Sequence, residues 1–252
     1  MPRWCAALLC VLAPLTAAGQ GPPKVAPPEG AQEIVQYLST YHSDPKPEKA
    51  AGYVEKFVKD KLVEHPFFQA NDHPLTLTAQ GFGHIARTEK DKALVRKMEG
   101  LFGGASDAGK RFLLTALEMA GDADTAARLK DWQKDNAHKA VVPELKRTLE
   151  TLSAKERKFQ RDKEATTPKE LDYLWMDFFI TGEYAPVSRI LDTLDRKHNP
   201  ADALQRVAAW SVESNLKQHP RLAKVLREHL KDRPEASRQR LEGWLGPEKA
   251  KD

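Results

Sequence analysis

The chain has 252 residues, 30% of them Asp, Glu, Lys or Arg, a net charge of +4 and a mean hydropathy of −0.60. That length supports a sizeable core, and the low hydropathy, with one long apolar run only, argues against a multispanning membrane protein. Basic and acidic residues are interleaved almost everywhere, so the positive balance reads as a mixed, solvated surface rather than the concentrated basic face of a nucleic-acid binder.

The first 30 residues have an order of their own. Arg3 supplies a thin positive region, residues 4–15 (WCAALLCVLAPL) are apolar, and Ala17-Ala18-Gly19 offers small residues for cleavage before Gln20. This order predicts a signal peptide over 1–19 and an exported protein; the apolar run is shorter than the ~20 residues a bilayer span needs. Leu9 stands before Cys10 where a lipoprotein signal needs a small residue. Both cysteines, Cys5 and Cys10, fall inside the expected signal, so a cleaved chain has no thiol and no disulfide. Asn71, Asn136, Asn199 and Asn215 all miss the glycosylation pattern. Together these features point to a periplasmic or secreted protein of bacterial type. Residues 20–30 (QGPPKVAPPEG) then read as a Pro/Gly-rich spacer.

From residue 31 the pattern is helix after helix, with no sustained period-2 alternation. Ile34, Leu38 and Tyr41 share a face over 31–42, and Val54, Phe57, Val58 and Leu62 over 48–64. The span 75–87 predicts a weaker helix, interrupted by Gly81 and Gly83. Leu94, Val95, Met98, Leu101 and Phe102 mark 89–102; Leu113, Ala116, Leu117 and Ala120 mark 107–120. Further stripes carry Ala126, Leu129 and Trp132 (123–134) and Val142, Leu145, Leu149 and Leu152 (141–152). Each follows the 3/4 spacing of one helical face. Thr167-Pro168-Lys169-Glu170 predicts a capping box with proline at the first helical position. Asn199-Pro200 predicts the start of a helix through Lys217, and His219-Pro220 one through Lys231; the last spans 235–245.

Residues 153–167 hold little apolar content and read as a charged, solvated connector. The expected organisation is therefore an N-terminal helical lobe over 31–152, this connector, a C-terminal helical-repeat lobe over 168–246 and a tail over 247–252.

Two stretches echo each other. LEMAGDADTAARL (117–129) aligns with FFITGEYAPVSRI (178–190): Gly121 with Gly182, Asp122 with Glu183, Ala126 with Val187, Arg128 with Arg189, and Leu129 with Ile190. Glycine past a helix end has a physical cause, because that position often needs a left-handed backbone. Leu171, Leu174, Phe178, Gly182, Glu183, Tyr184, Leu191 and Leu194 form a pattern that resembles a tetratricopeptide repeat. Leu113, Leu117, Gly121, Asp122 and Ala126 repeat part of it. Trp175 departs from the pattern, standing where that family has a small residue, and Val187 stands where it usually has Ala. The resemblance implies an all-α fold of antiparallel helical hairpins stacked as a TPR-like α-solenoid, with an irregular helical array as the alternative. It also implies that Lys169, Asp172, Met176 and Phe179 face a concave groove suited to a peptide or helix.

No phosphate loop, nucleophile elbow or HExxH pattern is present. His65, Asp72 and His73 lie close in sequence, but the paired His-Pro steps read more simply as turn punctuation. No catalytic residue, metal or cofactor is expected. The expected function is that of an exported, non-catalytic helical-repeat protein binding an unknown protein or peptide. The alternatives are a small-ligand-binding or enzyme-associated domain with a pocket at Trp175, Phe179 and Tyr184, or a purely structural envelope protein. Trp132, Trp210 and Trp244 are expected to pack between helices.

Overall fold

The computed structural model describes residues 26–69, 72–196 and 202–246. Among them are thirteen α-helices and no strand, so the chain is an all-α helical array. The expected signal peptide, most of the spacer, the Asn199-Pro200 helix start and the tail lie outside the described residues. No described helix is long and apolar enough to cross a membrane.

The chain forms two compact units. The N-terminal unit takes the residues up to 158 together with 179–181, and its helices are α1 (Glu29–Thr40), α2 (Pro47–Lys59), α3 (Pro66–Gln69), α4 (Asp72–Thr88), α5 (Lys92–Phe102), α6 (Asp107–Ala120), α7 (Ala123–Lys134) and α8 (Val142–Ser153). The alternate helices α4, α6 and α8 pack in succession, with α5 against α6 and α7 against α8. Phe57 sits 4.7 Å from Phe112 and 5.1 Å from Phe68 between ring centroids, and all three rings are buried. Rings of this size contribute about 1.5–3 kcal/mol each on burial, with a further gain from edge-on contact.

Several boundaries moved from their expected places, each for a local reason. α2 stops at Lys59 because Lys61 is left-handed (φ 56°), and a short 3-10 turn, Leu62–Glu64, follows. Gly81 and Gly83 do not interrupt α4, which runs for 17 residues. A Cβ on Gly83 would come within 2.5 Å of the Ala116 carbonyl oxygen, so this glycine lets the backbones of α4 and α6 approach. α5 begins at Lys92 rather than residue 89, with Asp91 accepting the Leu94 N–H at 2.9 Å.

The C-terminal unit takes residues 159–178 and 182 onward. It carries most of α9 (Pro168–Thr181), then α10 (Tyr184–Asp195), α11 (Ala203–Leu216), α12 (Pro220–His229) and α13 (Glu235–Leu245). α11 packs on α10 and α12, and α13 closes on α10 and α11. The capping box forms as expected. Thr167 Oγ1 accepts the Glu170 N–H at 3.3 Å, and Glu170 accepts the Thr167 N–H at 2.9 Å. Burial pushes the Glu170 carboxyl up, but the hydrogen bonds from Thr166 and Thr167 outweigh it and hold the group below its usual range. Beyond the described gap, Asp202 caps α11 by accepting the N–H groups of Leu204 and Gln205.

Most residues of the connector are exposed, and it is also anchored at points within each unit. Arg157 donates to the Gly121 carbonyl in the N-terminal unit. In the C-terminal unit Ala165 is fully buried, Arg196 donates to its carbonyl at 2.8 Å, and Arg189 donates to the Arg161 carbonyl at 3.0 Å. The Arg161 guanidinium grips the buried Asp177 carboxylate through two nitrogens and also reaches Glu183. Burial alone would lower the Arg161 pKa, and Asp177 and Glu183 reverse that and raise it.

The aligned glycines turn out to serve different ends. Gly182 is left-handed (φ 64°), and a Cβ there would fall 2.4 Å from Arg221 Nε. Gly121 has an ordinary φ of −63°; it is needed because a Cβ would lie 2.8 Å from both the Leu117 carbonyl and Thr125 Cγ2. Of the tryptophans expected to pack between helices, Trp132 stacks on Phe102 at 4.2 Å and Trp244 is half-buried. Trp210 departs from that expectation, at 41% exposed.

Candidate functional site

The residues proposed from the repeat resemblance differ in exposure. Lys169 is exposed and Asp172 half-buried, but Met176 and Phe179 are only 3% and 1% exposed. A concave binding face needs those two side chains at the surface, whereas their apolar area gains more by packing. Trp175 is fully buried, and the Tyr184 ring stacks on His229 at 3.8 Å with the planes 5° apart. His65 Nδ1 accepts the Phe67 N–H at 3.2 Å, the punctuation role expected of it. No group of three or more His, Asp or Glu among the described residues is placed to hold a metal.

A different feature of the N-terminal unit has the character of a site. Two tight helix links line one recess of about 230 Å³. The first joins α4 to α5. The Asp91 N–H bonds the Ala86 carbonyl at 2.8 Å and the Lys90 N–H bonds the Arg87 carbonyl at 3.2 Å, while Lys90 is left-handed (φ 53°). This is a Schellman closure with lysine where glycine is usual, at a cost of about 1–2 kcal/mol in backbone strain. The second link joins α6 to α7 at Gly121 and Asp122. Asp122 caps α7 by accepting the N–H groups of Asp124 and Thr125, both at 3.0 Å.

The charges around this recess are unequal in their engagement. The Thr125 N–H, opposed by burial and aided by the Asp124 N–H and the nearby Lys92 charge, holds the Asp122 carboxyl below its usual range. Asp91 is likewise committed to its cap. On the same side, Glu99 is 8% exposed and one of its oxygens accepts from Thr125 Oγ1 and from Arg128 Nη2, both at 2.8 Å. That bond to Glu99 is the main reason the Arg128 pKa is raised.

The side chains of Lys90, Lys92 and Arg96 are exposed and make no hydrogen bond or direct ion pair with any described residue, although the Lys92 charge acts on Asp122. Lys92 and Arg96 are also an i,i+4 pair of like charges on α5, which costs a few tenths of a kcal/mol in a helix. The recess thus collects three exposed cations without a direct ion pair, beside the Asp91, Asp122 and Asp124 carboxylates.

Sequence reasoning missed this cluster because Asp91 lies among the cations and made the segment read as interleaved charge. The available signal was KDKALVRK (90–97), with Lys92 and Arg96 on one helical face and no acid four residues beyond either.

Compared with known protein families, curated proteins and solved structures, the chain matches none. Function is therefore read from the geometry of the recess.

Proposed function

We propose that this is an exported, non-catalytic helical-array protein that binds another protein or peptide, with the recess between the α4–α5 and α6–α7 links as its docking point. The observation that carries the reading is the set of three exposed cations without a direct ion pair, Lys90, Lys92 and Arg96, around one recess. Such charges accelerate and select an oppositely charged partner more than they stabilise the fold. Export rests on the Arg3, apolar and small-residue order of the first 19 residues. The helical array supplies a rigid frame, as repeat-like folds do for extended partners.

A photo-crosslinking residue at Val95, on the recess wall, tests the reading in an envelope extract. A discrete adduct should form with the native charges and disappear with Lys92→Glu/Arg96→Glu. An adduct pattern that ignores the charge reversal would sink the docking point.

A further inference from the structure

The dimensions and charge of the recess narrow what enters it. At about 230 Å³ it lies below the ~300–1,000 Å³ of ordinary small-molecule pockets, so it suits one side chain rather than a cofactor. It is lined by apolar Ala86, Val95 and Ala120 and by exposed charges in which the cations outnumber the carboxylates, with Lys90, Lys92 and Arg96 on one side and Asp122 and Asp124 on the other link. Apolar lining beside an excess of cations matches a side chain with methylene groups and a carboxylate. Asp124 also lines the recess, and no hydrogen bond or ion pair engages its carboxylate among the described residues. An extended polyanion such as nucleic acid would meet that charge along its length, whereas a single carboxylate can sit on the cationic side alone.

We propose that the recess takes a glutamate side chain presented by an acidic peptide segment of the partner, held by Lys90, Lys92 and Arg96. This rests on the docking reading above and specifies its chemistry. The lysine in the left-handed position supports it. Glycine would close the same turn without strain, so a lysine there gives up stability while placing an ammonium group at the recess mouth.

Fluorescence anisotropy with the full chain tests the proposal. The probe is a labelled Gly/Glu peptide, and the comparison is the same peptide with Gln at each Glu. The Glu peptide should bind at least about tenfold more tightly than the Gln peptide, as expected when an uncompensated charge pair is lost, and rising salt should weaken it. Lys92→Glu/Arg96→Glu should reduce binding by at least about tenfold. Lys90→Gly should reduce binding while raising the urea midpoint, which separates recognition from folding. Equal binding of the Glu and Gln peptides would overturn the carboxylate inference and leave peptide docking standing. Displacement by inorganic phosphate or single-stranded DNA at concentrations no higher than the peptide's would overturn it in favour of a general anion site. No binding of either peptide, with charge-dependent crosslinking intact, would also overturn it while sparing the docking point.

Discussion

Replacing Gly83 with alanine adds one methyl group where two helices are closest. The new Cβ would stand 2.5 Å from the Ala116 carbonyl oxygen and 2.6 Å from Met119 Cβ, both on α6. The carbonyl belongs to a helical backbone and cannot rotate aside, so α4 and α6 must separate. Overpacking of this kind costs about 1–3 kcal/mol, and alanine returns up to about 1 kcal/mol of helix propensity. The net expectation is a loss of about 1–2 kcal/mol. Gly52, in the middle of α2, gives the internal control, because nothing lies within 4 Å of a Cβ built there. Gly52→Ala should gain about 0.5–1 kcal/mol. Urea unfolding followed by circular dichroism reads both variants. With slopes of about 1–3 kcal/mol per molar urea, the Gly83 variant should move to a lower midpoint and the Gly52 variant to a higher one. Shifts of the same sign would refute the claim that close helix approach, and not glycine's helix propensity, determines position 83.

Two further outcomes follow from the ion pairs. Arg161→Met leaves Asp177, 2% exposed, without its guanidinium and should destabilise the protein by about 2–3 kcal/mol; the double variant Arg161→Met/Asp177→Leu should be less destabilised than the single one in the same urea assay, and equal losses would show that the buried charge is not the cause. Glu55 is held at about 2 by hydrogen bonds from Lys59 and Lys97, against an ordinary 4.5. A depressed carboxyl contributes stability above its unfolded pKa and loses it as pH falls. The advantage of native Glu55 over Glu55→Gln should therefore persist above about pH 4.5 and fade toward about pH 2. A difference that stays constant across that window would count against the pairing.

The parts of this fold that were legible in the sequence depend on neighbours a few residues away. Thr167 and Glu170 satisfy each other's backbone within one turn, and Gly182 takes the left-handed conformation that a Schellman-type end requires. The apolar stripes of α6 and α7 gave those helices their bounds because period and capping agree, and α13 was bounded by its period and the preceding proline. What failed did so where a distant group decided the matter. Gly81 and Gly83 read as helix breakers by propensity, but a close neighbour on α6 makes Gly83 the residue that fits. The anchor of the connector was not legible either: Arg161 meets Asp177 on α9, and no local pattern announces that pair.

The candidate site divides in the same way. Met176 and Phe179 have the spacing of a groove face, yet helical spacing does not say which neighbours cover a face, and packing buried both. Lys90, Lys92 and Arg96 were visible as charges, but only the fold joined two helix links into one recess and left those side chains without a direct ion pair. By itself the sequence determined the all-α class, the bounds of several helices and the Thr167–Glu170 cap, because these follow from short-range hydrogen bonding and side-chain periodicity. The tertiary structure alone decided which glycine is a contact, which charge is paired and which surface is open, because those properties belong to residues far apart in the chain.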